Sequence, residues 1–85
     1  MRIDRIVVNP GSVLLVDFKS DADPTMDAAR VKPAYIQQLA LYALVAGELF
    51  PGQAVDAAIL WTGLESLLKL PPVVLAEAAG GFTIR

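Results

Sequence analysis

Eighty-five residues, 55% of them hydrophobic and with a formal net charge of −2, make one domain at most, and a chain of this size buries roughly 60–65% of its unfolded surface. Cysteine and histidine are both absent, which excludes disulfides, zinc ribbons, iron–sulfur clusters and Ser-His or Cys-His nucleophile pairs within these residues, and leaves carboxylate, lysine and tyrosine chemistry. The pI near 4.8 argues against a self-sufficient nucleic-acid binder, and no stretch approaches the ~20 apolar residues that span a bilayer, so no membrane partner is expected.

The opening MRIDRIVVNPG lacks the apolar core of a signal peptide. A mean hydropathy of +0.54 is high for a small domain and suggests either a tight α/β core or a piece that rests on a larger partner. Residues 1–32 hold five acids and five bases, whereas residues 33–85 hold four acids and two bases. The basic character therefore lies near the N-terminus.

In chain order, RIDRIVV and VLLVDFK flank the turn tetrapeptide NPGS, which predicts a β-hairpin over residues 2–19. Residues 20–32 are polar, contain Pro24 and read as a loop. Asp21, Asp23 and Asp27 within it are read as solvated turn residues, since the EF-hand spacing is absent. Pro33 suits the first turn of a helix that runs over 33–50 until Pro51-Gly52 stops it. That helix is apolar almost all round, so most of its surface is expected to be buried. AVDAAILWT predicts a strand at 54–62, SLLKL a short strand at 66–70, and VVLAEAA a short helix within 72–79, with FTIR as a tail or edge strand. Trp61 and Phe50 are read as core aromatics. Strand, helix and strand in this order predict that 13–19 and 54–62 run parallel, joined by a right-handed crossover. The expected fold class is α/β, a small mixed sheet with an N-terminal hairpin, one long crossover helix and a following parallel strand.

The hairpin register carries the functional argument. If NPGS is a four-residue loop, Val8 faces Val13 and Asp4 faces Asp17. Alternation then puts Asp4, Ile6, Val8, Val13, Leu15, Asp17 and Lys19 on one face, with Arg2 opposite Lys19, and Ile3, Arg5, Val7, Leu14, Val16 and Phe18 on the other. Two carboxylates facing each other across a ladder repel unless a cation lies between them. A divalent metal answers this, and hard oxygen ligands without His or Cys favour Mg²⁺ or Mn²⁺ over zinc. Lys19, one pleat beyond Asp17, would stand beside an attacking water or a scissile phosphate. Gln38 and Tyr42, four apart on the helix, share a face and require hydrogen-bond partners when buried.

Each element has a plainer structural reading: an Asp-x-Lys at a strand end is commonly a surface ion pair, and Gln38 and Tyr42 can simply face a loop. The ordered set is what points to a site. RIDR, VDFKS and YIQQLALY followed by AAILWT resemble the PD-(D/E)XK nuclease superfamily, and more closely the RecB-type C-terminal nuclease domain of AddA, the helicase-nuclease subunit of bacterial AddAB double-strand-break repair complexes.

The resemblance implies a restriction-endonuclease-like core lacking its first helix, the downstream part of a larger domain whose upstream helix brings a further acidic or His ligand. It implies metal ligation by Asp4, Asp17 and the Phe18 backbone carbonyl. Asp4, Asp17 and Lys19 would be the catalytic set, Lys19 acting on the attacking water, while Gln38 and Tyr42 position DNA. It further implies a Mg²⁺-dependent deoxyribonuclease of exonuclease type, with DNA, an AddB-like subunit and a helicase portion as partners, in the bacterial cytoplasm at the nucleoid. The competing readings are a nuclease-like scaffold that has lost catalysis and serves as an interaction module in a repair complex, and a small α/β domain whose Asp-x-Lys is incidental.

Overall fold

The computed structural model describes residues 3–20 and 23–80. Strands β1 (Arg5–Asn9), β2 (Ser12–Lys19), β3 (Ala54–Trp61) and β4 (Ser66–Lys69) form one sheet in the order β1-β2-β3-β4. The hairpin pair is antiparallel, β2 and β3 are parallel, and β3 and β4 are antiparallel. Helix α1 (Pro33–Leu49) makes the crossover between the parallel strands, and helix α2 (Pro72–Ala79) follows β4. This is the mixed α/β sheet anticipated from the strand–helix–strand order. Arg2, Asp21 and the FTIR segment lie outside the described residues.

Two details of the hairpin differ from expectation. The register is the anticipated one, Val8 opposite Val13, but Asn9 also pairs with Ser12, so the connection is a two-residue turn and not a four-residue loop. Pro10 holds its own φ near −65°, which excludes the primed turns, and Gly11 at φ +83° supplies the left-handed second position of a type II turn. The ladder also stops at Arg5. Asp4 occupies a bend outside β1, so it is not a ladder partner of Asp17. That bend cancels the alternation for Ile3, which packs against the helix-side core and not on the opposite face.

One face of the sheet carries Val13, Leu15, Ala57, Ile59, Trp61 and Leu68, all buried; α1 lies against it through Leu39, Ala40 and Ala46, and α2 packs on α1 and adds Leu75 to the same core. Period-two alternation in the strands and a helical stripe in α1 meet here. On the opposite face Phe18 and Leu67 are exposed. Helix α1 is less covered than its composition suggested: Leu44, Val45 and Leu49 face outward. A helix seated on a sheet and flanked by a single neighbour buries a stripe and leaves the remaining side to solvent. Phe50 packs against the edge of the core, and its N–H closes the last turn on the Ala46 carbonyl at 2.8 Å.

The segment before α1 is not wholly irregular. Asp27 caps a 3-10 turn, Ala28–Arg30, its Oδ1 accepting the Ala29 N–H at 3.0 Å. The Trp61 indole N–H donates to the Thr25 carbonyl, tying this connection to the end of β3.

The core assignment predicts a contrast within one helix. Leu39 is fully buried and Leu49 is 70% exposed, so Leu39→Ala should cost about 2–5 kcal/mol of unfolding free energy and Leu49→Ala less than about 0.5 kcal/mol. Urea denaturation of both variants checks this; equal losses would contradict the packing.

Candidate active site

The chemistry-bearing residues gather at the C-terminal end of β2. Even-numbered residues of β2 exchange backbone hydrogen bonds with β1 in this register, and odd-numbered ones turn to β3, as shown by the Lys19 carbonyl accepting the Thr62 N–H at 3.0 Å. Had β1 continued, the Phe18 N–H would meet the carbonyl of residue 3. Instead the Asp4 carboxylate takes that position, its Oδ2 accepting the Phe18 N–H at 2.9 Å. A side chain thus ends the ladder, and it does so within hydrogen-bonding reach of the Asp17 carboxylate. The Phe18 carbonyl leaves the strand on the same edge as its N–H, towards Asp4.

Asp17 points from β2 to the helix-covered face and is 4% exposed. Burial raises its pKa above the ordinary value near 3.8, and the neighbouring Asp4 raises it further, while the Lys19 ammonium pulls the other way. The Asp17 Oδ2 lies 3.0 Å from Lys19 Nζ, yet this buried oxygen has no hydrogen bond of good geometry. The contact is one of charge, and a lone-pair direction remains unused.

Lys19 is held on three sides. Besides Asp17, its Nζ donates to Gln38 Oε1 at 3.2 Å and lies 4.4 Å from the centroid of the Tyr35 ring. Gln38 Nε2 in turn donates to the Tyr42 hydroxyl at 3.2 Å, and Tyr42 is buried. Residues 35, 38 and 42 lie on one helix face by the i, i+3, i+4 rule. The structure therefore brings together Asp4, Asp17, Phe18, Lys19, Gln38 and Tyr42, the residues singled out in the sequence. It adds Tyr35, which sequence reasoning passed over although it stands three positions before Gln38. Its ring also meets Trp61, centroid to centroid 6.4 Å, and Lys32 Nζ at 5.4 Å.

The donor set suits a small hard cation. Two converging carboxylates, one with a buried oxygen that meets the Lys19 ammonium but no well-aligned hydrogen-bond donor, and a carbonyl on the same edge are all oxygen ligands, and Mg²⁺ commonly takes only one or two protein carboxylates with waters completing its shell. Among the described residues no group of three or more acidic side chains is assembled. An apolar cleft bounded by Ile3, Leu15, Tyr42 and Val45 lies beyond Tyr42 and carries none of the charged groups.

The raised Asp17 pKa has a defined consequence. In the unfolded chain Asp17 releases its proton near pH 3.8, before the folded form does. Stability contributed by this group is thus highest in acid and falls as pH rises through the interval from 3.8 to the raised folded value. Metal-free Asp17→Asn should therefore unfold at higher denaturant than the parent chain at pH 7, with the gap closing as pH is lowered towards 3.8. Denaturation midpoints across pH test this, and an Asn variant less stable at neutral pH would contradict it.

No helix among the described residues is long and apolar enough to cross a membrane. Comparison with curated proteins found no match, and comparison with solved structures likewise found none. The family model of the PD-(D/E)XK nuclease superfamily matches residues 2–79. That span takes in the hairpin, the Asp-x-Lys strand, both helices and the paired strands between them, and the chain belongs to the PD-(D/E)XK nuclease superfamily.

Proposed function

We propose that this chain is the metal-binding core of a DNA nuclease that hydrolyses phosphodiester bonds with Mg²⁺, or Mn²⁺ in its place, as part of an AddA-like helicase-nuclease in double-strand-break repair. Members of the superfamily are generally hydrolytic nucleases that use divalent metals. The observation that carries the reading is the convergence of Asp4 and Asp17 at one strand end with Lys19 beside them. Support for the AddA-like assignment is the ordered set RIDR, VDFKS and YIQQLALY. DNA, an AddB-like subunit and a helicase portion are the partners that go with it.

In this mechanism Asp4, Asp17 and the Phe18 carbonyl would hold the ion. A bound divalent cation supplies an acidified water and neutralises charge on a phosphate. Lys19 presents a fixed ammonium where negative charge develops on the scissile group, and a preorganised cation there costs no reorganisation during the reaction. Gln38 keeps Nζ from swinging away from Asp17; the donor-only ammonium turns the Gln38 Oε1 towards itself, and the Tyr42 hydroxyl accepts the N–H at the other end of the amide. The exposed Asp4 leaves the carboxylate pair open to solvent on one side, where a phosphate can approach.

A second reading, a nuclease-like module without catalysis, is favoured by one observation: two carboxylates, and no third, meet at the site among the described residues. The two readings separate on metal and on cleavage. Mg²⁺ at about a hundred times its Kd should raise the unfolding free energy of the parent chain by about 2.7 kcal/mol and leave Asp17→Asn unmoved. Linear single- and double-stranded DNA should be cut in Mg²⁺ or Mn²⁺, with Asp17→Ala and Lys19→Ala slower by about 10²-fold or more. Cleavage that survives both substitutions overturns the assignment, and absence of both saturable metal binding and cleavage favours the module.

A further inference from the structure

We infer that Tyr35 is a positioning residue for the reaction, its ring holding the Lys19 ammonium at the carboxylate pair; this rests on the nuclease reading above. A lysine side chain has four rotatable bonds and a strongly hydrated head, so one ion pair and one hydrogen bond do not by themselves determine where Nζ sits. The Tyr35 ring supplies a third, wide contact at 4.4 Å, well inside the range at which a ring's negative face attracts a cation. Asp17, Gln38 and Tyr35 come from two elements, β2 and α1, and together they bound the ammonium.

The ring is itself held. Trp61, 2% exposed, lies against it at a 55° tilt, and the Trp61 indole is anchored by the Thr25 carbonyl. The order of dependence runs from the buried core through Trp61 to Tyr35 and then to Lys19. The ring also carries a second cation, the exposed Lys32, at 5.4 Å. Lys32 stands at the N-terminal boundary of α1 and serves as a control, because its removal takes a charge from the same ring without touching the contacts of Lys19.

The test compares Tyr35→Leu, Tyr35→Phe and Lys32→Ala in the full chain. A cation over an aromatic face experiences a ring current, so the Lys19 methylene protons next to Nζ should resonate upfield in the parent, in Tyr35→Phe and in Lys32→Ala, and return to ordinary positions in Tyr35→Leu. In DNA cleavage, kcat for Tyr35→Leu should fall about tenfold, in line with a cation–π contact of ordinary strength, while KM changes little. Tyr35→Phe, which restores the ring, should recover most of that loss, and melting curves should show all three variants folded. A parent chain with unshifted Lys19 protons overturns the contact, and so does a Tyr35→Leu variant that cleaves at the parent's kcat. A parent chain that shows the shift but cuts no DNA overturns the nuclease reading and the reaction role with it, leaving the ring contact as the result.

Discussion

A carboxylate taken out of water beside a second carboxylate is unfavourable unless positive charge is brought to it. Asp17 is in that situation, 4% exposed beneath α1 with Asp4 within reach, and the arrangement of the site follows from the response. Lys19 offsets part of the cost at 3.0 Å, but its pull does not cancel burial and the neighbouring acid, since the Asp17 pKa remains raised. Negative character is therefore concentrated at one strand end, with the Lys19 ammonium set against Asp17. In a superfamily whose members typically use divalent metals, that pairing of carboxylates is the feature on which the proposed chemistry turns.

Backbone geometry delivers the two acids differently. Asp17 belongs to a strand whose pairing with β3 sets its direction, opposite Ile59 on the covered face. Asp4 arrives by leaving the strand: in the bend its side chain substitutes for a ladder carbonyl and caps the Phe18 N–H. An uninterrupted ladder would hold the Asp4 side chain perpendicular to the sheet. The bend lets the carboxylate lie along the strand edge instead, where the Phe18 carbonyl also emerges.

The helix acts as the opposing wall. Because α1 leaves from the connection that follows β2 and returns the chain to a parallel neighbour, its first turns lie over the end of β2. Tyr35, Gln38 and Tyr42 descend from it at helical spacing, the first two reaching Lys19 and the third fixing Gln38. Rigid elements on both sides hold the lysine, and a site so supported keeps its geometry better than one carried on loops.

Much of this was legible in the residues. Period-two runs around Pro10-Gly11 specified the hairpin register, Pro33 and Pro51-Gly52 bounded the helix, and four-residue spacing placed Gln38 and Tyr42 together; all of these are local rules of turn and repeat. The bend at Asp4, the inward turn of Ile3 and the exposed flank of α1 were not legible, because each depends on where a strand or helix runs out of partners in space. Tyr35 escaped for the same reason. Sequence spacing put it on the correct helix face, but a ring becomes a support for a lysine only when the crossover lays that face over the end of β2 and Trp61 closes behind it. Local periodicity determined the elements and the ordered motif residues; tertiary packing alone decided which polar atoms meet, since contacts between residues far apart in sequence depend on how whole elements dock and not on spacing within any one of them.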